Sequence, residues 1–484
     1  MSSSESFFWH DYETFGSDPS YDRPVQFAGQ RTDADLNLIG EPLILYARPA
    51  MDYLPQPGAC LITGITPQEA QAKGLSEAEF IRQIEQEMQR PGTCSLGYNS
   101  LRFDDTVTRF TLFRNLKDAY AREYGDSRSR WDLIDAMRTA YALRPEGIEW
   151  PLREDGPPSF RLEDLTRANG IDHGQAHDAL ADVTATIAIA RLLRQAQPKL
   201  YTWLYEHRIK SKVQALLDSR VLEPVLHISG MFGAARGNLG LVLPVCSPAN
   251  NRNEVMCLDL SIDAALFLDL SVDELKTRLY MPSDQMAEGI QRPGIKSLHL
   301  NRCPVILPPK MATAQVAERC QLDLDFCRNN LRKLRAHDEA HPGALRDKLL
   351  ALHAASQRPP AKVDVDQSLY TGGFLSREDR ASLDRLVTLS GEELAATTIA
   401  FQDTRLEEML FRYRARNFIE TLNDEELARW EEHRYLAITE GLVPGRNLEH
   451  FHTEIEGRLS DPRLPERDRQ ILDALQHWGD GLLG

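Results

Sequence analysis

The chain has 484 residues, 42% hydrophobic and 26% charged, with 56 Lys+Arg against 72 Asp+Glu and a net charge of −16. That length predicts about three domains, and the composition excludes collagenous, low-complexity and disulfide-scaffold classes. An acidic chain counts against a nucleic-acid partner at first sight, yet net charge is an average, and a local basic groove still binds phosphate. The seven cysteines (Cys60, Cys94, Cys246, Cys257, Cys303, Cys320, Cys327) contain no Cys-x-x-Cys pair. Neither a zinc site nor a disulfide framework is expected, and the thiols fit a reducing cytoplasm. The N-terminus lacks a signal-peptide pattern, and no apolar run is long enough to cross a membrane. A monomer is expected.

In chain order, Phe7-Phe8-Trp9 opens a buried strand that runs into His10-Asp11-Tyr12-Glu13. Residues 24–32 and 42–48 read as two more strands of an antiparallel meander, with a turn at residues 37–40. Thr66 with Glu69 and Ser76 with Glu79 have capping-box spacing ahead of two helices. A short strand over 93–98 leads through Arg102-Phe103-Asp104-Asp105 into a helix. Further helices are expected over 131–142, 159–169 and 177–195, completing an α/β domain that ends near residue 197. A basic amphipathic helix over 199–217 follows. Short strands over 225–229, 239–245, 255–260 and 298–307, separated by turn residues, predict a small β-barrel or sandwich with helical insertions. Residues 312–336 and 343–355 read as helices, residues 357–362 as a linker, and the remainder as helical over 378–389, 404–418, 424–438 and 465–483. The expected domains are 1–197, 198–352 and 353–484.

Alternate residues of a strand face the same side, so Asp11 and Glu13 point together at a strand end. Paired carboxylates repel and raise each other's pKa unless a cation lies between them, and oxygen-only ligands suit magnesium or manganese. The motif alone also reads as a strand passing into a solvated acidic loop. Farther along come Phe103-Asp104 at a strand-to-helix junction and His177-x-x-x-x-Asp182 at a helix start. Residues five apart on a helix lie about 140° apart, so His177 belongs in the loop before the helix, reaching back. Asp178 competes with Asp182 as a ligand, and Asp105 with Asp104.

These residues resemble the DEDDh 3′→5′ exonucleases and, within them, the bacterial exonuclease I family. The resemblance rests on His10-Asp11-Tyr12-Glu13-Thr14-Phe15-Gly16, Asp22-Arg23-Pro24, Leu54-Pro55-Gln56-Pro57-Gly58, Ile62-Thr63-Gly64-Ile65-Thr66-Pro67, Arg102-Phe103-Asp104-Asp105, Tyr141-Ala142-Leu143-Arg144-Pro145, Ser159-Phe160-Arg161-Leu162-Glu163 and Ala176-His177-Asp178-Ala179. It continues in Gly230-Met231-Phe232-Gly233 and Tyr413-Arg414-Ala415-Arg416-Asn417-Phe418, so it spans nearly the whole chain. One departure is Ser100, where the wider superfamily often has asparagine; Asn99 is adjacent.

The resemblance implies a ribonuclease-H-like α/β exonuclease domain, a Src-homology-3-like barrel with helical insertions and an all-α C-terminal domain. It implies a processive 3′→5′ exonuclease that degrades single-stranded DNA to 5′-mononucleotides in repair and recombination. Two magnesium ions, replaceable by manganese, are implied: Asp11 shared, Glu13 and Asp182 on one ion, Asp104 on the other, and His177 as the base. The DNA contacts implied are Glu13, Tyr12, Ile62, Arg109, Tyr120, Tyr124, Arg138, Arg161, Lys210, Tyr370 and Phe374. A basic pocket for the acidic C-terminal tail of single-stranded-DNA-binding protein is also implied, with Arg144 as a candidate. An RNA substrate and a non-catalytic DNA-repair scaffold are the competing readings; crowded carboxylates bring a scaffold no benefit.

Overall fold

The computed structural model describes residues 5–174, 178–217, 221–287, 289–357 and 363–483. Two compact units emerge: Met1–Ser129 with His173–Thr184 and Pro360–Gly484, and Arg130–Asp172 with Ala185–Pro359. Compactness thus divides the chain by a different rule from sequence order, because helix α7 (Ala179–Ala196) starts in the first unit and ends in the second.

The first unit is built on β1 (Ser6–Thr14), β2 (Pro24–Thr32), β3 (Leu38–Tyr46) and β4 (Thr93–Gly97), which β5 (Ser129–Asp132) extends to the order β3-β2-β1-β4-β5. β1 and β2 are antiparallel, as are β2 and β3, whereas β1 and β4 are parallel. As an inner strand, β1 buries Phe7, Phe8 and Trp9, hence its opening apolar run. The turn before β3 lies earlier than the sequence implied. Asp33 Oδ1 accepts the Asp35 and Asn37 amides, Leu36 takes φ 68°, and the strand begins at Leu38. The side chain of Asp33 therefore sets this turn.

Between β3 and β4 lie α1 (Pro57–Thr63), α2 (Pro67–Lys73) and α3 (Glu77–Met88). Thr66 and Ser76 accept the Glu69 and Glu79 amides, so the N-cap half of each expected capping box forms. Helix α3 buries Phe80, Ile81, Ile84 and Met88 against Phe8, Tyr12 and Phe27, each large apolar side chain contributing about 1.5–3 kcal/mol. α4 (Asp104–Arg114) follows β4 directly.

In the second unit, α5 (Leu133–Leu143) and α6 (Leu162–Ala168) precede α7. The expected basic helix is two, α8 (Pro198–Glu206) and α9 (Lys210–Gln214), because the His207 ring stacks on Trp203 and caps the Trp203 carbonyl at the break. A second sheet contains β6 (Val225–Ile228), β7 (Leu239–Cys246), β8 (Glu254–Asp259), β9 (Ile295–His299) and β10 (Val305–Leu307). Its order is β10-β6-β7-β8-β9, antiparallel throughout, around Val225, Phe232, Val242, Val255, Leu298 and Ile306. The expected strand over 298–307 is two, β9 and β10, broken where Cys303 takes φ 47°. The helical insertions are α10 (Ala264–Asp269), α11 (Val272–Tyr280), α12 (Ala314–Arg319), α13 (Leu324–Ala340) and α14 (Ala344–Ser356). α12 and α13 replace one expected helix, since Gln321 takes φ 50° and Asp323 caps a new start.

The end of the chain returns to the first unit as α15 (Arg377–Leu386), α16 (Gly391–Ala395), α17 (Arg405–Asn417), α18 (Asp424–Leu436), α19 (Leu448–Leu459) and α20 (Glu466–Gly481). The sequence reading missed α19. Phe451 and Ile455 of that helix pack with Leu472 and Leu475 of α20 against Phe15, Tyr53 and Cys60. A buried ion network also fastens these helices. Arg416 Nη2 lies 2.6 Å from both Asp52 and Asp366, Arg23 reaches Asp366 at 3.2 Å, and Arg412 pairs with Asp364 at 2.7 Å. Burial pushes the Asp52 carboxyl up, but Arg416, His433 and Arg23 outweigh it and hold it well below the usual range. Of the expected linker at 357–362, Gln357 caps the end of α14 and the rest lies outside the described residues.

Candidate active site

The site starts from strand alternation. Asp11 and Glu13 share one face of β1, while Tyr12 turns to the opposite face. There Tyr12 is buried against Phe27, ring centroids 4.8 Å apart, and its hydroxyl hydrogen-bonds with Thr108 Oγ1 at 3.1 Å. The expectation that the Tyr12 ring packs a terminal nucleotide is therefore corrected: the ring fills the core beneath the site.

β4 stops at Gly97, leaving the β4-side backbone groups of β1 unpaired beyond Trp9. Gly97 is required there, because a Cβ would come within 2.6 Å of the His10 carbonyl. The chain then turns into α4, and Asp104 fills the gap. Its Oδ1 accepts the Tyr12 amide proton at 3.1 Å. A sheet donor left over by a short neighbouring strand thus fixes the Asp104 carboxylate, close enough to Asp11 and Glu13 to raise the pKa of both. An acid in the first turn also suits the helix N-terminus. Asp105 does not compete with Asp104, since it forms a fully buried pair with Arg122 at 2.5 Å.

On α7, Asp182 contributes the fourth carboxylate. Ligand atoms of Asp11, Glu13 and Asp182 lie within 4.8 Å of one another. Asp178 is otherwise engaged: its Oδ1 accepts the Ala181 amide at 3.1 Å, and its Oδ2 faces Gln26 Nε2 at 3.4 Å. Gln26 sits opposite Glu13 in the β1–β2 register, and its Oε1 accepts the Ala179 amide at 3.3 Å. This buried side chain ties the start of α7 to the sheet. The sequence reading did not single it out, although a glutamine inside an apolar strand was the available signal. His173, also missed, places Nε2 2.6 Å from Asp182 Oδ1. His177, the expected base, lies outside the described residues.

Electrostatics mark the cluster as strained without a cation. Burial, then repulsion from Asp104, Glu13, Asp182 and Asp178, raises the Asp11 carboxyl well above the carboxylate range. Burial, then Asp182, Asp104 and Asp178, pushes Glu13 up to about 8. Four inward-facing carboxylates are costly unless protons or cations neutralise them, and an all-oxygen donor set fits hard divalent ions. Burial and the Arg122 charge push neighbouring His10 down to about 4, so its ring is neutral at pH 7.

The expected DNA contacts divide between the units. In the first, Ile62 (59%), Tyr124 (57%), Tyr370 (55%) and Phe374 (95%) are exposed. Arg109 is ion-paired to Glu123 at 2.7 Å and lies over the Tyr120 ring, with Nη1 3.4 Å from the Tyr370 hydroxyl. Tyr120, Tyr370 and Phe374 line one cavity of about 290 Å³ with Lys117, Arg380 and Arg405. In the second unit, Arg161 and Arg144 are exposed at helix ends, Arg138 pairs with Asp135 at 2.7 Å, and exposed Lys210 hydrogen-bonds Asn253.

Three family models match in succession: "Exonuclease" over residues 8–190, "Exonuclease I SH3-like domain" over 208–355 and "Exonuclease I C-terminal domain" over 363–482. Exodeoxyribonuclease I of Escherichia coli is 47% identical over 440 residues, 91% of each chain. The solved structure of a moderately thermophilic exonuclease I from Methylocaldum szegediense is 46% identical, with a TM-score of 0.93 over 99% of this chain and 100% of that one. E. coli exonuclease I in complex with a dA16 oligonucleotide is 44% identical, with a TM-score of 0.92 and the same coverage. An α/β exonuclease domain, an SH3-like domain and a helical C-terminal domain therefore follow one another along the sequence, and the chain belongs to the exonuclease I family.

Proposed function

We propose that this protein hydrolyses single-stranded DNA processively from its 3′ end, releasing 5′-mononucleotides, and serves DNA repair and recombination in the cytoplasm as a monomer. The observation that carries the reading is the convergence of Asp11, Glu13 and Asp182 within 4.8 Å, with Asp104 held beside them, in a member of the exonuclease I family. Support for the substrate comes from E. coli exonuclease I, solved with single-stranded oligonucleotides and also with zinc and single-stranded DNA.

Two magnesium ions, when bound, neutralise charge on the attacking and leaving oxygens of an in-line displacement. Asp11, Glu13, Asp182 and Asp104 would hold them, Asp11 shared, Glu13 and Asp182 on one ion and Asp104 on the other. Glu13 also contacts the terminal nucleotide, and His177 accepts a proton from the attacking water, a step worth about 10²–10⁴ in rate. Arg109, Arg138, Arg161 and Lys210 hold phosphates. Ile62 wedges between bases, while Tyr120, Tyr124, Tyr370 and Phe374 offer stacking surfaces, each base–aromatic stack contributing about 1–3 kcal/mol. An exonuclease I 44% identical to this chain has also been solved with SSB and an inhibitor. We assign exposed Arg144 to a basic pocket for the acidic tail of such a partner. The domain limits proposed are 1–197, 198–352 and 353–484.

Oligonucleotides blocked at one end test the polarity. With magnesium, a 5′-blocked strand is degraded and a 3′-blocked strand survives; degradation of only the 3′-blocked strand would falsify the reading.

A further inference from the structure

Most of the site is restrained from the backbone side: the Tyr12 amide holds Asp104, and Gln26 holds the start of α7. Neither restraint fixes the plane of the Asp182 carboxylate, whose terminal torsion is soft. His173 contacts that carboxylate directly, Nε2 to Oδ1 at 2.6 Å, with both side chains largely shielded at 11% and 17% exposure. Gly174 follows in the left-handed conformation, φ 62°. A carboxylate offers about four acceptor sites over its two oxygens, so it can accept the imidazole proton and still bind a cation.

We propose that His173 is a positioning residue for the hydrolytic reaction, orienting Asp182 as an outer-sphere donor so that its second oxygen faces the cation shared with Asp11 and Glu13. The assignment rests on the reading of Asp182 as a metal ligand. Outer-sphere partners of this kind change metal affinity or activity by about 10–100-fold when removed. The proton stays on Nε2, and His173 takes no part in proton transfer to the substrate.

The test is manganese(II) binding to the full-length protein, alongside the manganese dependence of activity on a single-stranded oligonucleotide. His173→Phe keeps a ring and removes the donor; His173→Gln keeps an N–H donor. We expect about 10–100-fold weaker manganese binding and a lower kcat in H173F, with KM for the strand unchanged and H173Q close to wild type. H173F equal to wild type, H173F binding manganese more tightly (the mark of a competitor for the carboxylate), or H173Q as impaired as H173F each overturns the proposal. Wild-type crystals soaked in manganese test it without a variant: His173 Nε2 remains in hydrogen-bond contact with Asp182 once the ion is bound, and separation of the two overturns the assignment. Asp182→Asn distinguishes the two levels, since unchanged manganese binding in D182N refutes the metal-site reading itself.

Discussion

Glu13→Gln isolates the electrostatic cost of the site. The substitution keeps shape and removes the charge. In the metal-free fold, burial and the neighbouring Asp182, Asp104 and Asp178 raise the Glu13 pKa from 4.5 to about 8. A carboxyl whose folded pKa is raised contributes fully to stability below its unfolded pKa, and the contribution is lost as pH rises through the folded value. The loss therefore runs from about pH 4.5 to about pH 8. At about 1.4 kcal/mol for each pH unit in that window, the ceiling is about 5 kcal/mol. Water penetration and relaxation act as an effective dielectric near 20, which leaves about 1–3 kcal/mol as the expected gain. Chemical denaturation with chelator present is the assay. E13Q is more stable than wild type at pH 9 by that amount and indistinguishable at pH 4. Magnesium reverses the order at pH 9, because a ligand that binds only the folded state stabilises in proportion to its affinity. Equal stability of the two proteins at pH 9 without metal, or an equal benefit from magnesium, refutes the argument.

Other consequences follow from the same geometry. Arg416→Met removes the cation shared by buried Asp52 and Asp366, leaving them only His433 and Arg23 with Arg412, and costs about 3–5 kcal/mol by denaturant unfolding at pH 7. Both carboxyls are held below their ordinary values, so the wild-type advantage is full above about pH 4 and fades as pH falls further. Tyr370→Ala and Phe374→Ala each weaken single-strand binding by about 1–3 kcal/mol in fluorescence titrations, with metal affinity unchanged. Tyr12→Phe costs about 1 kcal/mol of stability through the lost Thr108 bond and leaves KM for the strand unaltered, since the ring lies in the core.

The convergence of Asp11, Glu13 and Asp182 was legible because each carboxylate sits where local rules apply. Asp11 and Glu13 follow strand alternation, and Asp104 and Asp182 open helices behind recognisable junctions. What escaped was three-dimensional. Nothing local in Asp104-Asp105 says which acid is neutralised; that depends on Arg122, seventeen residues away and buried. Gln26 and His173 act across β2 and a loop, at separations of 153 and 9 residues from their partners. The Tyr12 assignment failed because the helix covering the far face of β1 is supplied by α3, a packing fact invisible in the strand itself. Element boundaries slipped where single residues with positive φ, Gln321 before a helix and Leu36 before a strand, reset the chain direction. Helix α19 escaped because its apolar positions gain meaning only against α20 and Phe15.

The central claim is that these carboxylates exist to hold divalent ions against a 3′-terminal phosphodiester. Anomalous diffraction from crystals grown with manganese and a short single-stranded oligonucleotide tests it most directly. The account predicts two peaks about 3.5–4 Å apart, one among Asp11, Glu13 and Asp182 and one between Asp11 and Asp104. Absence of both peaks at saturating manganese, or ions bound elsewhere with the four carboxylates empty, contradicts it.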